Sequence, residues 1–526
     1  MVIGGGHNGL VCATYLARAG AQVVLLERRN VLGGACVTEE LWPGYRVSRA
    51  AYVLSLLRPR IAKELDLERF GLRLLPRSPS SFTPLADGRS LVLGPDLAAN
   101  VAEIRRFSPR DAQVFPAYEA FMQRVATALE PTLDAPPPEL GARRPRDWIP
   151  WWLGLRAVWQ LRRDLPRATR LLLGPARGLL EEWFDCEALR TTLASDAVIG
   201  AFAAPSTPGT GYVLFHHVMG SISGQRGVWA YVRGGMGALC EALDGAARAA
   251  GVCVRTQAEV ARIRSAAGRA IGVTLTSGEE IDASVVVSAA DPARTFRALD
   301  DPETLPEDFR RALDTLDFRS PVVKLNLALR ELPRFRVRDR PDPPLGATIH
   351  LGPQTLDQIE DAFDDAKSGG VSSRPMVELT LPTVLDPTLA PPGRHVASIF
   401  AQYAPARPMA DPGWPALREQ MRERVLAVVD EAAPGFSDSI EALEVLAPPD
   451  LESVFGLTGG NIFHGAMTPD RLLFLRPLVG WSRYRTPLAG LYLCGSGTHP
   501  GGGVMGAPGR NAAHEIKRDL PRLLRP

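Results

Sequence analysis

The stretch Met1-Val2-Ile3-Gly4-Gly5-Gly6-His7-Asn8-Gly9-Leu10-Val11-Cys12-Ala13-Thr14-Tyr15-Leu16-Ala17 decides how the rest of the chain is read. Met1 to Ile3 is apolar. Leu10, Val11, Ala13, Leu16 and Ala17 recur at helical spacing, so strand, tight loop and helix follow in order. Gly4, Gly6 and Gly9 fit GxGxxG. The first permits the turn, the second lets backbone approach a pyrophosphate, and the third lets helix and strand pack closely. The pyrophosphate rests where the helix N-terminus points unpaired N–H groups outward. Gly20 ends the helix, Val23-Val24-Leu25-Leu26 makes a second strand, and Glu27 stands at its tip, where a ribose hydroxyl takes a carboxylate acceptor. These elements together predict a dinucleotide site built on Gly4, Gly6, His7, Asn8, Gly9, Glu27 and Arg28. The first strand is shorter than the usual five or six residues, so a start several residues upstream is expected.

The chain has 526 residues, 45% of them hydrophobic, enough for a substantial core in two or three domains. Sixty basic against 58 acidic residues give a net charge of +2, which argues against a nucleic-acid partner. Cys12, Cys36, Cys186, Cys240, Cys253 and Cys494 show neither CxxC nor a metal-ligand spacing, so reduced thiols and no metal are expected. No run of about 18 apolar residues signals a transmembrane helix. The expected location is the cytoplasm, with peripheral contact to an inner membrane left open, or the mitochondrial matrix if the source is eukaryotic.

Residues 131 to 150 hold Pro131, Pro136, Pro137, Pro138, Pro145 and Pro150, and read as a loop or hinge rather than a regular helix. The stretch 141 to 180 carries nine Arg against two Asp, with Trp148, Trp151, Trp152 and Trp159. Two readings stand for it: a helix pair lying on a membrane surface, or a helical subdomain whose aromatics pack inward while arginines face water. After Gly234-Gly235-Met236-Gly237 a helix runs to about residue 250. Short strands then lead to the buried run Val285-Val286-Val287-Ser288, closed by Asp291-Pro292. Gly490 to Gly495 reads as a third return to the same sheet. The division that follows is a discontinuous dinucleotide domain of 1–75, 231–300 and 481–526, with 76–230 and 301–480 forming a substrate domain.

The diglycine Gly33-Gly34 that follows the acidic strand tip resembles the FAD-dependent class of amine oxidases and phytoene desaturases, where such a pair touches the cofactor's phosphate and ribityl region. The loop Leu491-Tyr492-Leu493-Cys494-Gly495-Ser496-Gly497-Thr498-His499-Pro500-Gly501-Gly502-Gly503-Val504-Met505-Gly506 is similar to that class's C-terminal signature, which cradles the flavin. Gly234 to Gly237, Ala258-Glu259-Val260 and Val287 to Pro292 resemble it too. More narrowly, Gly6 to Val11, Gly34 to Glu40, Ser55 to Pro59 and Gly459 to Gly465 resemble the branch called pyridine nucleotide-disulfide oxidoreductase domain-containing protein 2. The resemblance covers almost the whole chain.

It implies a two-domain α/β oxidoreductase with a Rossmann-like FAD domain and a mixed α+β substrate domain. It implies FAD as cofactor, with Gly33, Gly34, Ala35, Gly495, Ser496, Gly503, Val504 and Met505 beside it and the backbone of Val260 offered to the adenine. The family places an arginine or lysine just after the diglycine, whereas this chain has Ala35-Cys36, so the neutralisation of the pyrophosphate is left open. The absence of CxxC argues against disulfide chemistry despite the branch's name.

The implied activity is dehydrogenation of a hydrophobic small molecule by hydride transfer to flavin N5, with O2 or a quinone as acceptor. The alternatives are oxidation of an amine-bearing molecule and a non-catalytic carrier or regulatory flavoprotein. Catalytic candidates are Lys324, on the apolar strand Pro321 to Asn326, and His464, in a glycine-flanked loop. Each also has an ordinary structural reading, as an exposed strand residue and a turn histidine. His499 is expected to order the flavin loop, and His216 and His217 to pack. Arg476 reads as a contact for an anionic substrate group or as a surface residue.

Overall fold

The computed structural model describes residues 1–139, 145–222, 224–406 and 413–523. A five-stranded sheet carries the order Cys253–Arg255, Val24–Leu26, Val2–Ile3, Val286–Ser288, Leu491–Leu493, and every neighbouring pair is parallel. Its strands come from the start, middle and end of the chain. A parallel sheet is covered on both faces, so its inner strands are largely apolar, and only the edge strand Cys253–Arg255 carries a charged residue. Val2, Leu25, Val287 and Tyr492 pack into one core with the helices His7–Arg18, Gly237–Ala249 and Ala507–Leu523. Leu26, Val286, Leu491 and Leu493 join a second core under the antiparallel layer Val260–Ala266, Arg269–Leu275, Glu280–Asp282. The molecule is an α/β protein of two domains.

The other large sheet has seven strands in the order Ile440–Leu446, Val323–Leu329, His395–Gln402, Met376–Thr380, Thr348–Leu351, Ser81–Pro84, Ser90–Leu93. Val323–Leu329 lies between two antiparallel neighbours and is buried along its whole length. Side chains alternate faces along a strand. Leu325, Leu327 and Leu329 enter the sheet's own core, and Lys324, Asn326 and Ala328 take the opposite face. A helical layer, including Pro109–Leu133, Glu187–Val198 and Thr210–Val218, forms a separate aromatic-rich core around Phe115, Tyr118, Phe121 and Phe184.

The loop expected of the proline-rich segment is present at 134–139, which hold Pro136, Pro137 and Pro138, but both ends of the segment are helical. Pro131 sits in the last turn of the helix that ends at Leu133, and Pro150 in the first turn of the helix Ile149–Gln160. A proline in the first turn removes an N–H that has no helical partner anyway. Residues 140–144, including Arg143 and Arg144 of the basic stretch, lie outside the described residues. The inward-packing reading of the tryptophans is also corrected: Trp148, Trp152 and Trp159 are exposed. Trp151 is half-buried, and its indole N–H donates to the Glu139 carbonyl at 3.0 Å.

Candidate cofactor and substrate site

The glycine loop is held by backbone. Gly4 N–H donates to the Leu26 carbonyl at 2.8 Å and Gly33 N–H to the Gly5 carbonyl at 2.9 Å, which ties both glycine pairs to the strand tip. Glu27 closes the arrangement. One carboxylate oxygen accepts Gly5 N–H at 2.8 Å and the other accepts Arg29 N–H at 2.9 Å. A carboxylate has about four acceptor positions, so Glu27 retains capacity for a ribose hydroxyl.

The glycines are not equivalent. A Cβ on Gly9 would lie 2.0 Å from the Gly4 carbonyl oxygen, so this glycine serves the close crossing of helix and strand. A Cβ on Gly6 would have the Gly33 carbonyl at 3.9 Å as its nearest neighbour, and Gly6 has φ −71°, which any residue adopts. The backbone does not demand glycine at that position. Space kept open in front of the loop does.

That space is a cavity of about 190 Å³, lined by Gly4, Gly6, His7, Asn8, Gly9, Glu27, Arg28, Gly33, Gly34, Ala35, Val260, His464 and Ser496 among others. Buried polar atoms without partners surround it: His7 Nε2, Asn8 Oδ1, Arg29 Nη1, Arg294 Nε and His464 Nδ1. Unpaired buried polar groups are costly, and a phosphate- and hydroxyl-rich ligand would satisfy them. The residues present therefore fit FAD. Ala35-Cys36 bring no positive charge to the groove, and the cationic residues that line it are Arg28, Arg29 and Arg294. Arg28 is anchored on the carbonyls of Ser453 at 2.9 Å and Val454 at 2.6 Å, and Arg29 is paired with Glu39 at 2.7 Å. Arg294 had no motif to mark it. It lies on the short helix capped by Asp291, whose carboxylate accepts Arg294 N–H at 2.9 Å.

A second cavity of about 360 Å³ adjoins the first, and His7, Ala35, Leu457, His464 and Ser496 line both. Lys324, Gly503 and Val504 line the larger one. Gly495 and Met505 line neither. A Cβ on Gly495 would meet the Ala289 carbonyl at 2.4 Å, and Met505 is buried with its carbonyl accepting Arg58 N–H at 3.1 Å. These two shape the loop from behind.

Lys324 is buried, against the reading as an exposed strand residue. Its ammonium donates to Asn326 Oδ1 at 2.7 Å and to Ser398 Oγ, and stands 5.5 Å from the Tyr52 ring centroid. Burial pulls it down to about 7, with Glu444 opposing. His464 has a positive φ of 59° and its imidazole is held well below the ordinary histidine range by burial, with Asp291 opposing. At neutral pH it is an uncharged hydrogen-bonding group.

Arg476 is neither a substrate contact nor a surface residue. It is buried, and its guanidinium donates to the carbonyls of Phe463 at 2.6 Å, Ser496 at 2.9 Å, Ala466 at 3.0 Å and Gly465 at 3.2 Å. It therefore clamps the His464 loop to the C-terminal glycine loop. His499 Nε2 donates to the Thr132 carbonyl at 3.0 Å, and His216 Nε2 to the Gly502 carbonyl at 3.1 Å, both ordering that loop.

Far from any motif, the larger cavity also holds Arg77, Asp196, His350 and Glu378. Tyr52 Oη donates to Glu378 Oε2 at 2.7 Å, and Arg77 Nη1 to Thr348 Oγ1 at 2.6 Å. Burial first, and then Asp196, push Glu378 up to about 8, while burial first and then Arg77 lower His350 to about 4. Their 3.7 Å contact therefore joins two neutral groups at pH 7 rather than an ion pair. An acidic residue inside the apolar strand Met376-Val377-Glu378-Leu379-Thr380 was the one sequence signal for this cluster. No group of three or more His, Cys, Asp or Glu among the described residues could hold a metal ion, and the six cysteines are free.

The family model for flavin-containing amine oxidoreductases matches residues 9–516. The chain belongs to that family. Within it, the chain is 48% identical to the mouse pyridine nucleotide-disulfide oxidoreductase domain-containing protein 2, over 99% of this chain and 94% of the mouse protein. It is 30% identical to one polypeptide of the limonene dehydrogenase of Castellaniella defragrans, covering 99% of this chain and 94% of that one. Against hydroxyneurosporene desaturase of Cereibacter sphaeroides the identity is 29%, covering 99% and 97%. The fold matches cyclohexylamine oxidase from Brevibacterium oxydans with a TM-score of 0.57 at 18% identity, covering 99% of both chains. As a flavin-containing amine oxidoreductase the protein is an FAD-dependent enzyme, and the family's flavin accounts for the orphaned polar atoms around the smaller cavity.

Proposed function

We propose that this enzyme dehydrogenates a small molecule with a substantial apolar body, held in the larger cavity with its reacting carbon at the end shared with the cofactor groove. The observation that carries this is the apolar wall of that cavity. Tyr52, Val322, Phe400, Leu457, Ile462 and Phe463 line it, and Leu457 lines the cofactor groove as well, with His7, Ala35, His464 and Ser496. Pockets that orient a substrate by apolar packing with a few placed polar groups suit this chemistry. Bound FAD supplies a two-electron acceptor. The chain's own residues position the substrate, exclude water, and offer Lys324 in the larger cavity and a neutral His464 at the junction. The relatives named for dehydrogenation and desaturation support the reading.

A second reading, oxidation of an amine-bearing molecule, is favoured by Asp196 and Glu378. Their carboxyls face the same cavity and each is pushed up by burial, so a cationic group between them would relieve both. Anaerobic mixing of the holoenzyme with an apolar terpenoid panel and an alkylamine panel tests the two, followed as bleaching of the flavin band near roughly 450 nm. Bleaching by the apolar panel with slow reoxidation in O2 is expected. Bleaching by amines alone with fast reoxidation establishes the second reading, and no bleaching by either panel overturns both.

A further inference from the structure

Eight of the thirteen exposed large apolar side chains among the described residues lie between Trp148 and Leu173. The helix Ile149–Gln160 explains their density. Pro150, Ala157 and the following Leu161 are buried against the protein, while Ile149, Trp152, Leu155 and Trp159 recur on the outward side. Trp152 is 58% exposed, Leu155 68% and Trp159 66%. A helix apolar on opposite sides belongs inside a core, yet none of the described residues covers the outer face.

The charge around that face is of one sign. No Asp or Glu occurs from residue 148 to 163, whereas Arg156, Arg162 and Arg163 do. Arg156 stands over the Trp152 ring at 5.6 Å and Arg162 over the Trp159 ring at 4.8 Å, and none of the three pairs with a carboxylate among the described residues. Arg170, further on, is tied to Glu182, and Asp164 to Arg124. Two of the arginines without a carboxylate partner, Arg156 and Arg162, thus stand over exposed indoles.

We propose that this face docks on an anionic phospholipid surface. The helix lies in the interface plane, Trp148, Trp152 and Trp159 in the headgroup layer and Leu155 below them, and the arginines meet lipid phosphates. A second copy of the chain is a poor occupant. A two-fold contact would set Arg156, Arg162 and Arg163 against themselves with no acidic residue to neutralise them. No helix among the described residues is long and apolar enough to cross a membrane, so this is surface attachment.

Sedimentation of the flavin-loaded full chain with vesicles tests it. Vesicles of equal parts phosphatidylcholine and phosphatidylglycerol are compared with pure phosphatidylcholine, at low and high salt. The wild type is expected to bind the anionic vesicles and to release as salt rises. W152S/L155S/W159S is expected to lower partitioning by about tenfold or more, and R156Q/R162Q/R163Q to abolish the preference for anionic lipid, with flavin content unchanged in both. A blue shift of wild-type tryptophan emission on adding anionic vesicles gives the same information without a variant. Wild type that stays in the supernatant with unshifted emission overturns the proposal. So does an apolar variant that folds and binds like wild type, or a vesicle-free dimer that this variant turns into monomers.

Discussion

Arg476 Nη2 donates to the carbonyl of Ser496 at 2.9 Å, joining the loop that carries His464 to the loop that closes over the cofactor groove. The same guanidinium takes the carbonyls of Phe463, Gly465 and Ala466, a fan of bonds that only a planar multi-donor head can make. Arg476→Lys keeps the charge but loses most of these donors. It is expected to destabilise the fold by about 2–4 kcal/mol, since buried carbonyls are left unpaired, and to release FAD. Thermal melting and flavin retention after gel filtration read both effects, and unchanged values for both would remove the clamp from the account.

The two loop glycines separate cofactor binding from folding. Gly6→Ala places a methyl group in open space on a backbone that alanine adopts freely. The chain should fold with apoprotein stability within about 0.5 kcal/mol of wild type while losing FAD. Gly9→Ala drives its Cβ into the Gly4 carbonyl, so stability and FAD should fall together. Urea denaturation of apoprotein alongside FAD titration distinguishes the two behaviours.

Glu27→Gln replaces a two-oxygen acceptor with a single acceptor and a donor, opposite two backbone N–H groups. One N–H then faces an amide NH2. A loss of about 1.5–3 kcal/mol in FAD affinity is expected, in keeping with hydrogen bonds to charged groups. Equilibrium titration with FAD checks it.

Lys324 makes stability depend on pH in a definite direction. Its folded value near 7 lies below the ordinary 10.5, so between those limits the unfolded chain binds the extra proton and stability rises with pH. The cost of the buried charge is full below about 7 and gone above about 10.5. Urea midpoints at about pH 7.5 and about pH 9.5 should show the wild type gaining roughly 2 kcal/mol more than Lys324→Met over that interval. Equal gains would place the titration elsewhere.

His464, buried and uncharged, should leave no ionisation in the rate of flavin reduction between about pH 6 and 8. His464→Gln keeps a hydrogen-bonding side chain and should slow that reduction by about tenfold with the pH profile unaltered. Stopped-flow traces across that range decide the matter.

Much of the cofactor groove was legible in the sequence, because turns and close backbone approaches impose local demands that glycine spacing records. Gly4, Gly6, Gly9, Gly33 and Gly34 line the groove, as does Glu27 at the end of its apolar strand. Four apolar runs announced four of the five parallel strands, since strands buried on both faces admit few other residues. Gly495 and Met505 belonged to the same loop but turned out to support it from outside the cavities.

Tertiary structure alone decided the rest, and the reason is distance along the chain. Tyr52 and Glu378 are 326 positions apart and meet at one cavity wall; Gly502 reaches His216 across 286. No periodicity encodes such partners. The same holds for Arg294 beside the cofactor groove and for Arg476, which reads as a surface residue until its burial among five backbone carbonyls is seen. The tryptophans of residues 148 to 159 make the point from the other side. Composition and spacing established a basic aromatic helix, but which of its faces turned to solvent depended on the neighbours it packs against.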